Sequence, residues 1–147
     1  LEIGKSPYRI ANSHVKCFPV CYHGQTAVWT ALEMRDRFEL EDIEAVKIDT
    51  YAVAKGMMAD APSRWAPQTP ETADHSLPYV VSLALRDGGI GLDAYDDDKL
   101  FDPDLAELMQ RISVEAPDEM TDAYPRTSPS RITVRLKDGS EMQNGLT

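Results

Sequence analysis

At 147 residues, with 42% hydrophobic and 27% charged positions, the chain has the size and composition of one soluble globular domain, and such a domain buries roughly two thirds of the surface its unfolded chain exposes. A formal net charge of −10 argues against a nucleic-acid partner, because phosphate binding takes clustered Lys and Arg. No apolar run approaches the ~18 residues of a membrane span, and no signal-peptide pattern opens the chain.

The chain begins at Leu1 rather than Met and ends in the strand-like MQNGLT, so an excerpt from a longer polypeptide, with one domain over 1–147, is expected. Cys17 and Cys21 lie too close for a structural disulfide and lack the second pair of a zinc site. They read as reduced thiols of a cytoplasmic protein, with a reactive role as the lesser alternative. His14 is expected in a strand with a structural role. Pro19 bars helix upstream of itself, which leaves Lys16 and His23 on the approach to a helix. That helix opens at Gly24, repeats Ala27, Val28, Ala31, Leu32 and Met34 near helical spacing, and closes by Phe38.

DIEAVKIDTY (42–51) alternates as a half-buried strand with a bulge near Val46, and a helical turn, AVAKGMM, follows. The Pro-rich DAPSRWAPQTPE is a loop. In ETADHSLPYVVSLALRDGG the residues Leu77, Val80, Val81, Ala84 and Leu85 form an apolar stripe ended by Gly88. Pro78 must fall in the first turn, so the helix is expected to begin near Asp74, with His75 and Ser76 in its N-terminal turn. Asp96–Asp98 lack the glycine and distal glutamate of a calcium loop and read as a solvated turn. FDPDLAELMQRI is a helix capped by Asp102, with Pro103 at its first position. ISVEAP is a short strand, and SRITVRLKDGSEMQNGLT a hairpin turning at Asp138–Gly139. This order predicts an α+β fold: an antiparallel sheet with helices packed on one face.

Two segments carry a family resemblance. KCFPVCYHGQTAV (16–28) is similar to the 2-methylcitrate dehydratase pattern, and ETADHSLPYVVSLALRDG (71–88) resembles a signature of MmgE/PrpD proteins. DDDKLFDPDLAELMQRISVE and RITVRLKDG follow in the family's order, so the resemblance covers nearly the whole chain. It implies the smaller, lid-like C-terminal domain of a two-domain enzyme, whose helical N-terminal domain is the partner closing over a polycarboxylate substrate. It further implies a homodimer in full-length form and no iron–sulfur cluster or other cofactor. The implied activity is that of a carbon–oxygen lyase removing water from a hydroxy-tricarboxylate, with cis-aconitate decarboxylation and iminodisuccinate epimerisation as alternatives on the same scaffold. Lys16 and Cys21 match positions lining the family's active site. A histidine stands at the latter position in the decarboxylase branch, so Cys21 with His23 favours the dehydratase branch.

Elimination beside a carboxylate needs a base, an acid for the leaving hydroxide, and cations or N–H dipoles for the carboxylates. Lys16 is the candidate for carboxylate binding, against the reading of a solvated lysine. His23 is a donor or proton shuttle, against a structural histidine. Gln25 and Thr26 could bind a carboxylate oxygen or cap the backbone. Asp74, His75 and Ser76 are placed at a helix N-terminus, an anion site by its free N–H groups, or serve as cap and packing residues. The base is expected in the helical domain. A different class remains, in which the domain is a non-catalytic lid or dimerisation module. Trp29 and Trp65 are expected in packing or interfaces, and no metal ligands are expected.

Overall fold

The computed structural model describes residues 9–147. Strand β1 (Ile43–Thr50) is the spine of a four-stranded sheet with β2 (Ile112–Glu115), β3 (Ser130–Leu136) and β4 (Glu141–Leu146), in the order β2-β1-β3-β4. The helices are α1 (Gln25–Met34), α2 (Ala52–Met58), α3 (Pro70–Asp74), α4 (Leu77–Asp87), α5 (Asp97–Leu100), α6 (Pro103–Gln110) and α7 (Asp118–Ala123). Mixed helix and sheet give the α+β class expected from the sequence.

The sheet is not wholly antiparallel. β1 pairs antiparallel with β3, and β3 with β4, but β1 and β2 run parallel, with Val46 opposite Ile112 and Ile48 opposite Val114. The chain leaves β1, passes through α2–α6 and re-enters at the same end of the sheet, the crossover that parallel neighbours require. The irregularity expected near Val46 falls between Ile43 and Ala45.

Period-two alternation sends Ile43, Val46, Ile48, Ile112, Val114, Ile132 and Val134 into one core with α1 and α4. Sequence periodicity assigns α4 a single stripe, yet every residue from Leu77 to Leu85 is buried. The helix lies between α1 and α6 and touches the sheet at β2, so no flank faces water. The other sheet face is polar: Lys47, Asp49, Arg131, Thr133, Arg135 and Gln143 line an open depression. Asp49, almost fully buried there, is held by Arg131 through Nε (2.9 Å) and Nη2 (2.8 Å). Lys47 reaches its other oxygen as an ion pair at 3.0 Å. Burying a carboxylate is costly unless such partners compensate for the lost water.

Gly88 closes α4 in the left-handed conformation (φ 71°) and leaves room for Arg35, which a Cβ would meet at 2.8 Å. Gly139 (φ 85°) occupies the β3–β4 turn. His14 lies in neither strand nor helix; its Nδ1 bonds the Tyr22 hydroxyl at 2.9 Å. Trp29 and Trp65 are partly exposed, and each indole N–H donates, to Glu33 (3.0 Å) and to the Ala59 carbonyl (2.6 Å). Cys17 is exposed and Cys21 buried, both as free thiols.

Candidate active site

Asp74 is the last residue of α3, so its carbonyl is among the acceptors that a helix leaves unpaired at its C-terminus. The backbone N–H of Cys21 donates to it at 2.9 Å. This bond docks the 16–28 segment onto the 71–88 segment. Tyr95 adds a second tether through its hydroxyl, which donates to the Pro19 carbonyl at 2.6 Å.

The single helix expected from Asp74 is two helices. Pro70 opens α3, whose capping box pairs Thr69 with Thr72, and Asp74 is the last residue of α3 rather than the cap of α4. Ser76 is that cap. Its hydroxyl accepts from Tyr79 N (3.1 Å) and donates to the Arg64 carbonyl, and the residue is fully buried. With donor and acceptor both engaged and no path to solvent, Ser76 serves the helix end instead of a ligand. The break at 75–76 turns His75 outward to intermediate exposure. Its Nδ1 faces the Asp74 carboxylate and the Glu71 carbonyl (3.2 Å), two acceptors, so this nitrogen carries the hydrogen and Nε2 of the neutral ring keeps its lone pair.

His23 sits in the 3-10 turn Tyr22–Gly24 that leads into α1. Its Nδ1 lies 2.7 Å from the Tyr51 hydroxyl, at the tip of β1. Tyr51 stacks on Tyr124 (centroids 4.4 Å, planes 8° apart), and His23 meets Tyr22 and Tyr51 edge-on at 5.7 and 5.6 Å. Burial, and then the nearby charge of His75, depress the basicity of His23 below the ordinary value of 6.5. His75 thus lies within electrostatic reach of His23. Burial pushes the Tyr51 phenol up to about 12 in spite of a hydrogen bond with Ser128, so the hydroxyl keeps its proton at neutral pH. Among the described residues no group bonds Nε2 of either imidazole.

Gln25 is wholly engaged with the backbone. Its Oε1 accepts from Cys17 N (2.9 Å) and Phe18 N (3.1 Å), while Nε2 donates to the carbonyls of Phe18 (3.0 Å) and Val20 (3.2 Å). In place of a substrate contact, this amide holds the shape of the 17–20 loop. Thr26 and Gln25 line an apolar groove of about 480 Å³ with Phe18, Tyr22 and Trp29, whereas Lys16, His23 and His75 lie outside its walls. Lys16 is exposed, between the groove residues Val15 and Cys17. Gly24 is closely covered: a Cβ there would come 2.9 Å from the Met58 methyl, which would have to shift.

The docked segments thus set His23 within electrostatic reach of His75 and its neighbour Asp74, while the side chains of Gln25 and Ser76 bond backbone groups and Thr26 lines the groove. Tyr51, Tyr124 and Ser128 escape sequence reasoning. No spacing links Tyr51 to a histidine 28 positions earlier; the available signal is an aromatic hydroxyl at the end of a strand, just before a helix. Chemically, the cluster offers two ring nitrogens without a partner among the described residues, each steadied from behind, by a phenol in one case and a carboxylate in the other. Among the described residues no group of three or more His, Cys, Asp or Glu could hold a metal ion, and no helix is long and apolar enough to cross a membrane.

Comparison with known proteins supplies the frame. A family model described as the MmgE/PrpD C-terminal domain matches residues 18–146. An alkylcitrate dehydratase from a fungal species is 27% identical, over 95% of this chain and 29% of its own length. A 2-methylcitrate dehydratase from Cupriavidus necator is 27% identical, over 88% of this chain and 28% of its own. The mitochondrial 2-methylcitrate dehydratase of Yarrowia lipolytica is 25% identical, over 84% of this chain and 25% of its own. The chain therefore spans less than a third of the relatives it matches.

Proposed function

The chain belongs to the MmgE/PrpD family, as its C-terminal domain, and on that premise we propose that it forms one wall of a hydro-lyase site acting on a hydroxy-tricarboxylate of the 2-methylcitrate type. The observation that carries this reading is the Cys21 N–H to Asp74 carbonyl bond, which seats His23 beside His75. The names of the dehydratase relatives support the reaction class.

In this reading Lys16, exposed on the docked segment, takes a substrate carboxylate, while His23 and His75 face the reacting atoms, one as hydrogen-bond donor and the other as proton carrier. Asp74 orients His75 and stabilises it when charged, as a carboxylate behind a catalytic imidazole does. The chain's charge of −10 repels a polyanion, so a local cation is needed to hold one. A helical domain supplies the facing wall, and the full-length enzyme works as a homodimer in the cytoplasm.

The test is substrate profiling of the intact polypeptide with 2-methylcitrate, cis-aconitate and iminodisuccinate. Loss of water from 2-methylcitrate, with the 147-residue piece alone inactive, is the expected result. Turnover of only another acid would move the reading to decarboxylation or epimerisation, and full turnover by the isolated piece would refute a site shared between domains.

A further inference from the structure

Among the described residues Nδ1 of His23 has one partner, the Tyr51 hydroxyl at 2.7 Å, and the direction of that bond decides what the ring presents to a substrate. A phenol is a stronger acid than a neutral imidazole N–H, and its oxygen, conjugated with the ring, is the poorer acceptor. The better bond therefore runs from Tyr51 O–H to Nδ1. Tyr51 cannot easily turn from this task. It is fully buried and lies face to face on Tyr124. A neutral ring whose Nδ1 accepts must carry its hydrogen on Nε2. His75 is arranged the other way, since its Nδ1 faces only acceptors and its Nε2 is left with the lone pair.

We propose that Tyr51 is a positioning residue that locks His23 in the Nε2–H tautomer, so that the two histidines meet the substrate with opposite polarity, His23 as donor and His75 as acceptor. The assignment of steps rests on the dehydratase reading above. His75 Nε2 takes the carbon-bound proton, the electron pair forms the C=C bond as the C–O bond breaks, and the departing hydroxide regains that proton from His75 to leave as water. His23 surrenders no proton. It donates a hydrogen bond to the oxygen on which negative charge collects, a role that neutral imidazoles can fill. This places a base on this domain, where the sequence pointed to the helical one.

The test is nitrogen NMR of the intact protein labelled with 15N-histidine, paired with kinetics. In the wild type, long-range 1H–15N couplings should show His23 protonated at Nε2 and His75 at Nδ1. Tyr51→Phe should release His23 into a mixture of tautomers and lower kcat about 10- to 100-fold with KM little changed, within the range general acid–base groups contribute. A wild-type His23 protonated at Nδ1, or an unaltered tautomer in Tyr51→Phe, overturns the lock. The wild-type spectrum needs no variant, so the proposal stays refutable even if Tyr51→Phe does not fold. If the tautomers are as expected while no hydroxy acid is dehydrated, the lock stands and the dehydratase reading falls.

Discussion

The two ends of α4 are built in opposite ways. At the C-terminal end every charge is engaged. Arg35 donates to the carbonyls of Leu85 (3.4 Å) and Arg86 (3.1 Å), Arg86 pairs with Asp87 (2.6 Å) and Asp102, and Lys99 pairs with Asp87 (3.2 Å) and Asp93 (2.7 Å). Burial alone would raise Asp87, but the hydrogen bonds from Arg86 and Lys99 outweigh it and hold the carboxyl below 3.8. At the N-terminal end, the Asp74 carbonyl docks a distant segment, and among the described residues no group bonds Nε2 of either imidazole. Closed networks hold a fold together, whereas hydrogen-bonding capacity left open at a partly exposed cluster is available to a ligand.

Substitutions can break or sharpen that contrast. The largest effect is expected from His75→Gln in the intact protein: kcat down about 100- to 1,000-fold, with the melting temperature nearly unchanged. A lost fold with normal activity per folded molecule would make the N-terminal end scaffolding too. Gln25→Ala, which removes four hydrogen bonds to the 17–20 loop, should cost about 2–3 kcal/mol in denaturant titration. It should also raise KM as Lys16 loses its fixed backbone. Asp102→Ala, at the closed end, deletes the cap of α6 and should cost about 1–2 kcal/mol while leaving kcat alone. A fall in kcat there would show that the closed end also serves the chemistry.

The smallest effect is in pH dependence. The folded ring of His23 binds a proton less readily than the unfolded one, whose value is 6.5. The stability it contributes is therefore present above 6.5 and lost as pH falls through the lower folded value. Asp87 and Asp102, also depressed, keep their contribution above 3.8 and lose it only in stronger acid. Unfolding free energies of wild type and His23→Gln from pH 7.5 downward should converge as the pH drops below 6.5, and parallel curves would remove His23 from the account.

Much of this was legible in the sequence because it is local. Alternation placed β1 and the terminal hairpin, and Pro103 after Asp102 marked the start of α6. Pro78 was rightly confined to a first turn, but Pro70 opens a helix of its own, and only the competition between two prolines decides where the chain breaks. That break makes Asp74 the end of α3, with a carbonyl that accepts from the Cys21 N–H, rather than the cap of α4. The parallel β1–β2 pairing depends on where the α2–α6 crossover returns, and the Tyr51–His23 contact depends on the sheet's tip meeting the His23 turn. Both are properties of the assembled fold, and no residue spacing records them. Gln25 and Ser76 carry two readings in the sequence, ligand or cap, because amides and hydroxyls satisfy backbone and substrate with the same atoms.

The place of β1 between two neighbours has a consequence for how the site comes apart. Its amides are paired on both edges, to β2 and β3, so they should exchange with solvent deuterium only when the sheet opens. Tyr51 follows directly from that strand, while His23 rides on a single 3-10 turn fastened by side-chain and loop bonds. Deuterium uptake should therefore run fast along 17–24 and slow along 43–50. The phenol that orients the imidazole stays fixed in place while the imidazole's own turn opens and recloses against it.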